Sequence, residues 1–139
     1  MGARTITSIE AMKTIAFEIS EQLGRESNPS DPQGQLFKAP DWYFQAVSGG
    51  LGPLGVHKGF EEMQKMGWTD RQPRIAMIQA DGCAPVVKAY QDGKEACEFW
   101  AGAHTLASGL RVPKSFADQL ILQTIRDSKG TAVGVSEEA

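Results

Sequence analysis

Residues 45–55 read Gln45-Ala46-Val47-Ser48-Gly49-Gly50-Leu51-Gly52-Pro53-Leu54-Gly55. An apolar strand, which we place at 42–47, runs into three glycines within four residues and then into a helical pattern. Glycine allows positive φ and lets a ligand approach the main chain closely. The N–H groups of such a turn, together with a helix N-terminus, bind anions and most naturally a phosphate. We therefore predict an anion site at the carboxyl end of a strand, where open α/β sheets bind ligands.

Three interpretations of this stretch stay open on the residues alone. Gly50-x-Gly52-x-x-Gly55 matches the dinucleotide-binding fingerprint, and Asp81 ends the next predicted strand where a ribose-binding acid would lie. That acid, however, follows Gly50 by more than the usual ~20 residues. The second interpretation is a single phosphate bound at residues 48–52. The third is a tight strand–helix turn that binds no ligand.

The surrounding sequence alternates between helical and strand patterns. Apolar residues recur at helical spacing in four segments, and these predict helices at 12–23, 56–67, 85–90 and 115–125. Apolar residues run continuously in three further segments, and these predict strands at 42–47, 75–80 and 131–135. Continuously apolar strands separated by helices predict an α/β domain, a three-layer arrangement of a mostly parallel sheet with helices on both faces. We expect the strand at 42–47 to be buried on both of its faces.

Length, charge and cysteine content exclude several classes of protein. A chain of 139 residues with 41% hydrophobic residues is enough for one core and too apolar for wholesale disorder. A formal net charge of −3 disfavours nucleic acid as a partner. No apolar run approaches the ~18 residues that a membrane span needs. Two cysteines form no disulfide framework, so we expect a cytoplasmic protein, and two histidines predict no metal site.

The two ends of the chain are informative as well. Residues 1–8 are expected to be disordered or tag-like, and residues 9–139 to form a single α/β domain. The first pattern is a helix with no strand before it, and Ser136-Glu137-Glu138 has the composition of a helix start just before the sequence stops. We therefore expect a domain truncated at both ends.

Five ordered blocks resemble the threonine synthase family. They cover most of residues 9–138, and they are 9–19, 40–55, 79–85, 105–111 and 128–133. The second block is similar to that family's loop for the cofactor phosphate. The chain departs from the family pattern at Ala11, where a glycine is usual, and at residues 26–37, which look like an insertion in a surface loop.

The resemblance implies a pyridoxal-phosphate enzyme of the tryptophan-synthase-like fold type II. Such an enzyme is a lyase of threonine biosynthesis that converts O-phospho-L-homoserine and water to L-threonine and phosphate. The cofactor-binding residues implied are Ser48, Gly49, Gly50, Leu51 and Gly52, acting through their main-chain N–H groups. A sheet that has lost its neighbouring strands exposes apolar edges and faces, so we expect a homo-oligomer, most simply a dimer, with no nucleic-acid or membrane partner.

The same resemblance implies that some of the chemistry lies outside this chain. The family's Schiff-base lysine lies well before the glycine loop, and no lysine here fits that context: Lys13 belongs to the first helix, and Lys58, Lys65, Lys88 and Lys129 are typical of solvated helix positions. We therefore expect a fragment with no catalytic residue, inactive alone, with weak or absent cofactor binding. The alternatives are another fold type II β-replacement or dehydratase enzyme, or a non-enzymatic dinucleotide- or anion-binding module.

Overall fold

The structure is a computed structural model that describes residues 6–27, 30 and 36–138. Four helices and three strands occur in the order α1, β1, α2, β2, α3, α4, β3. Their bounds are Ile6–Ser27 for α1, Trp42–Ala46 for β1, Leu51–Lys65 for α2, Arg74–Ala80 for β2, Pro85–Gln91 for α3, Asp118–Asp127 for α4 and Thr131–Val135 for β3. Single 3₁₀ turns cover Asp81–Cys83 and Ser108–Leu110.

The three strands form one parallel sheet in the order β1-β2-β3. Tyr43 of β1 lies opposite Ile75 of β2, and Met77 lies opposite Ala132 of β3. Each parallel step is connected through helices, as a parallel sheet requires. The prediction of an α/β domain with a parallel sheet is therefore confirmed, and the carboxyl ends of the strands meet at one edge.

One face of this sheet carries the main core. Ile75 and Met77 of β2 are fully buried, and they pack in one cluster with Leu54 of α2, Val86 of α3 and Ile121 of α4. Helix α1 packs on α2 and forms a second, smaller cluster whose buried members are Ala16, Ala39, Val56, Phe60 and Met63. The helices therefore stack on one side of the sheet in two layers.

The other face of the sheet remains open in the described residues. Phe44 of β1 is 63% exposed and Val133 of β3 is 43% exposed, and both point to the face opposite Met77. The prediction that residues 42–47 are buried on both faces is wrong, because β1 is an edge strand and α2, α3 and α4 share one core on a single face. The expected second helical layer is not formed by the described part of the chain.

Several boundaries differ from those that the sequence predicts. Helix α1 begins at Ile6, so residues 6–8 belong to it rather than to an N-terminal segment, while residues 1–5 lie outside the described residues. Most of the inserted loop predicted at 26–37 also lies outside them. At the other end, residues 137 and 138 form a turn. Glu137 there accepts a hydrogen bond from the N–H of Leu106 at 3.1 Å.

Candidate functional site

The predicted loop lies between β1 and α2, at the carboxyl edge of the sheet. Val47 ends the strand register by donating its N–H to the carbonyl of Ile78 at 2.8 Å. Residues 48–50 form a bend, and Gly50 is the N-cap of α2 with φ of 91°. This left-handed conformation costs a non-glycine residue about 1–2 kcal/mol. The sequence therefore folds here into the strand–turn–helix geometry that the glycines predict.

The main-chain donors of this loop have no partner in the described part of the chain. The N–H groups of residues 48–52 donate to no acceptor there, and the first bond back into the loop is from Leu54 N–H to the Gly50 carbonyl at 3.5 Å. These groups stand at the start of a 15-residue helix. A helix N-terminus carries the equivalent of about +0.5 elementary charge. Unpaired donors and a positive dipole end together favour an anion.

A cavity of about 300 Å³ opens over this loop. Its walls are formed by a single stretch of chain and one residue of α1, which are residues 45–53 and Met12. None of these side chains is charged. A Cβ placed on Gly49 would meet no atom of the described residues within 4 Å, so the loop has free space beside its backbone there. Free space, unpaired N–H groups and the absence of a carboxylate fit a phosphate group bound by the main chain alone.

Helix α4 and the residues before it support the loop from behind. Ser115 is 2% exposed, and its hydroxyl donates to the Gly49 carbonyl at 2.9 Å. The Gly49–Gly50 peptide is trans, so its N–H points away from its carbonyl and hence away from Ser115. Ile121 fills the space where a Cβ of Gly50 would lie. These contacts hold the donor of Gly50 in a fixed direction.

The role of Ser115 in supporting the loop could not be predicted from the sequence. Its spacing three residues before Asp118 is typical of a helix cap, but α4 begins at Asp118 with Ala117 as the N-cap and no side-chain capping bond. The hydroxyl is instead used by the loop that lies 66 residues earlier in the chain. No local sequence signal distinguishes a helix cap from a hydrogen bond to the loop, because only the packing of α4 against α2 brings Ser115 and the loop together.

Asp81, the predicted ribose-binding acid, and His57 of α2 lie away from this cavity. Asp81 follows β2, and its carboxylate occupies the space beside Gly134 of β3. His57 lines a different cavity of about 330 Å³ between α2 and α4, where its Nδ1 is buried with no hydrogen-bond partner among residues 6–27, 30 and 36–138. Burial lowers the pKa of His57. Neither residue is among those that line the cavity at residues 48–52. The structure therefore does not bring a dinucleotide's ribose acid or a histidine base to the loop.

Among the described residues, neither the cysteines nor the lysines supply a nucleophile at this cavity. Cys83 and Cys97 are both buried and free, and burial raises the pKa of Cys97 to about 11. A thiol with such a pKa stays protonated and is a poor nucleophile at neutral pH. Lys13 pairs with Glu62 at 2.7 Å. No lysine lines the cavity over the described loop.

Two comparisons of the sequence with known proteins agree on the family. The family profile described as "Pyridoxal-phosphate dependent enzyme" matches residues 3–139. The threonine synthases of Methanosarcina acetivorans and Methanocaldococcus jannaschii are 34% and 29% identical to this chain over 130 residues. That of Mycobacterium tuberculosis is 28% identical over the same length. These matches cover 94% of this chain but only 29–30% of the relatives, so the chain spans less than a third of their length.

Solved structures share the fold. The chain matches a crystal structure of the T.th. threonine deaminase with a TM-score of 0.66 and 18% identity, over 94% of this chain and 40% of that one. It matches maize serine racemase with a TM-score of 0.62 and 19% identity, over 94% of this chain and 33% of that one. These similarities show a common fold. In the described residues, no helix is both long enough and apolar enough to cross a bilayer.

Proposed function

The chain belongs to the family of pyridoxal-phosphate dependent enzymes, and we propose that it is the part of a threonine synthase that binds the cofactor's phosphate. In this proposal the intact protein converts O-phospho-L-homoserine and water to L-threonine and phosphate. Three relatives at 28–34% identity that carry the name threonine synthase, each matched over 94% of this chain, support the choice within the family.

The observation that carries the proposal is the loop at residues 48–52. Its five N–H groups are without acceptors in the described residues, and they lie in an open cavity at the N-terminus of α2. In the proposed role, Ser48, Gly49, Gly50, Leu51 and Gly52 hold the phosphate through these groups. The Ser48 hydroxyl is an additional donor. Ser115 and Ile121 keep the loop in its binding conformation.

Pyridoxal phosphate supplies an extended π-system that accepts the electron pair of a carbanion next to the substrate's nitrogen. This chain's contribution would be to hold the phosphate end of that group through the main-chain N–H groups of residues 48–52. No lysine among the described residues lines the cavity. We therefore propose that the Schiff-base lysine is not among these residues, that the 139-residue chain alone is inactive, and that its cofactor binding is weak.

The assembly and location of the protein are further parts of the proposal. The face of the sheet that carries Phe44 and Val133 is apolar and exposed. An isolated chain with such a face is expected to self-associate, so we propose a homo-oligomer, most simply a dimer. The two free, buried cysteines are consistent with a reducing, cytoplasmic setting.

Two other functions remain as alternatives. Another fold type II dehydratase or β-replacement enzyme would use the same loop, and the structural similarity to proteins titled threonine deaminase and serine racemase is compatible with it. A dinucleotide-binding module is disfavoured by the position of Asp81, whose carboxylate lies beside Gly134 and not in the cavity.

Binding of small anions to the ¹⁵N-labelled 139-residue chain tests the proposed site. We expect inorganic phosphate and pyridoxal phosphate to shift the amide resonances of residues 48–52 at millimolar concentration, with no Schiff-base absorption band. Shifts caused by NAD at lower concentration, together with none caused by phosphate, would favour the dinucleotide alternative. Micromolar pyridoxal-phosphate binding with a Schiff-base band would overturn the proposal that the lysine is absent.

The reaction is tested on the product of the whole reading frame that encodes this chain. Threonine synthase activity requires that inorganic phosphate and L-threonine appear in equal amounts from O-phospho-L-homoserine. Release of ammonia from L-threonine or L-serine, without phosphate release from O-phospho-L-homoserine, would support the dehydratase alternative instead.

A further inference from the structure

Gln45 lies on β1 just before the loop, and its side chain has a defined partner. It is two residues after Tyr43, so both side chains point to the same face of the sheet, towards the helices. The Tyr43 hydroxyl donates to Gln45 Oε1 at 2.8 Å. Burial raises the pKa of Tyr43, so this hydroxyl keeps its proton and its role as donor at neutral pH.

This hydrogen bond fixes which end of the Gln45 amide faces the loop. With Oε1 bound to Tyr43, Nε2 is the end that lies against the first turn of α2. It occupies the space where a Cβ of Gly52 would stand. Within the described residues Nε2 donates to no acceptor. The glycine at position 52 therefore makes room for an amide group whose two N–H donors are still unused.

The unused donors belong to the same cavity as the loop. Gln45 lines the cavity of about 300 Å³ together with residues 46–53 and Met12. The loop side of this cavity offers main-chain donors, and Gln45 is the residue in its wall that adds a side-chain amide. A phosphate bound to residues 48–52 would therefore have a neutral N–H₂ group beside it, already oriented before the ligand arrives.

We propose that Gln45 is a further binding residue of the phosphate site: its Nε2 donates a hydrogen bond to a phosphate oxygen, while Tyr43 holds its amide in that orientation. The proposal rests on the proposed function of the loop. It explains why a glutamine stands in an otherwise apolar strand and why residue 52 has no side chain.

Titration of inorganic phosphate into the ¹⁵N-labelled chain tests this role directly. In the wild-type chain, the side-chain N–H₂ resonances of Gln45 are expected to shift with the same midpoint as the amides of residues 48–52. Gln45→Met keeps a similar length and removes the donors. It should weaken phosphate binding about tenfold, as expected for a hydrogen bond to a charged group.

Two further variants separate the contribution of the Gln45 hydrogen bond to phosphate affinity from that of the side chain's shape. Gln45→Glu replaces the donor with a carboxylate and should weaken phosphate binding more than Gln45→Met, because like charges repel. Tyr43→Phe leaves Gln45 in place but frees its amide to rotate, and we expect binding about threefold weaker, in line with the loss of a neutral hydrogen bond. Gln91→Met, at an exposed position at the end of α3, is the matched control and should leave the affinity unchanged.

The outcomes distinguish this inference from the proposed function. If phosphate shifts no loop amide in the wild-type chain, the proposed function fails. If the loop amides shift but the Gln45 side-chain resonances do not, and Gln45→Met binds phosphate as the wild type does, the role of Gln45 is overturned while the loop site stands. The wild-type measurement alone decides this even where a variant does not fold.

Discussion

Two groups of glycines in one short segment do opposite things. Gly55 and Gly59 of α2 face α1, where a Cβ on Gly55 would overlap Met12 and one on Gly59 would lie 2.7 Å from the Cβ of Ala16. Gly49, a few residues earlier, has no atom of the structurally described part of the chain within 4 Å of its missing Cβ. The first pair brings two helices together, and the second position leaves space open. Glycine at 55 and 59 therefore allows helix packing, whereas glycine at 49 leaves the space that the proposed function assigns to a phosphate.

The largest effect is expected from Gly55→Val. A side chain there meets backbone atoms of α1, with the Ile9 carbonyl at 2.8 Å from the added Cβ, and α1 cannot yield without moving as a whole. Overpacking costs about 1–3 kcal/mol, and the branched side chain places this variant near the upper limit. The midpoint of urea unfolding measures the loss.

Gly109→Val is the matched control for that variant. Gly109 has no atom within 4 Å of its missing Cβ, so the same side chain should change the free energy of unfolding by less than about 0.5 kcal/mol. A similar loss for both variants would mean that helix packing is not the purpose of Gly55.

Gly50→Ala should have the next largest effect. A positive φ costs an alanine about 1–2 kcal/mol, and the new methyl group would also displace Ile121. We expect a loss of about 2 kcal/mol in unfolding free energy, measured in urea, and weaker phosphate binding.

Gly67→Ala separates the backbone cost of Gly50→Ala, which comes from the positive φ, from the steric cost of displacing Ile121. Gly67 has φ of 74° but no atom within 4 Å of its missing Cβ, so that variant carries only the backbone penalty. If the two variants lose equal stability, Ile121 does not brace the loop.

Ser115→Ala should reduce stability by about 1 kcal/mol, because the Gly49 carbonyl loses its buried donor. The Gly49–Gly50 peptide is then free to rotate, so hydrogen exchange of the Gly50 amide should accelerate and phosphate should bind more weakly. Ser108→Ala, at an exposed position outside the loop, is the control. Unchanged exchange at Gly50 in Ser115→Ala would contradict the bracing role.

Gly49→Ala should have the smallest effect on stability, less than about 0.5 kcal/mol, since its methyl group enters open space. Its effect on phosphate binding should nevertheless be clear, because that space is where we place the ligand. Unfolding in urea and phosphate titration of the same sample test both statements. If the variant binds phosphate as the wild type does, the proposal that the ligand lies beside Gly49 is wrong.

Much of the fold followed from local patterns. The strand at 75–80 appears at Arg74–Ala80, the strand at 131–135 at Thr131–Val135, and the helix at Pro85 begins there. These elements were predictable because their apolar runs end at glycine, proline or charged residues. The start of α4 was not predictable, because the Ser115 hydroxyl could either cap the helix or bond to the distant Gly49 carbonyl. The sequence shows only the nearby helix.

The sequence by itself determined the parallel α/β class and the strand–glycine–helix segment at residues 45–55, because periodicity and backbone freedom are local properties. Only the tertiary structure decided which face of the sheet the helices cover. It also decided which glycines pack against a helix and which leave open space. The contacts of Ser115 and Gln45 with the loop likewise come from the tertiary structure. These facts depend on how distant segments pack, and a contact across 66 residues leaves no trace in the spacing of neighbours.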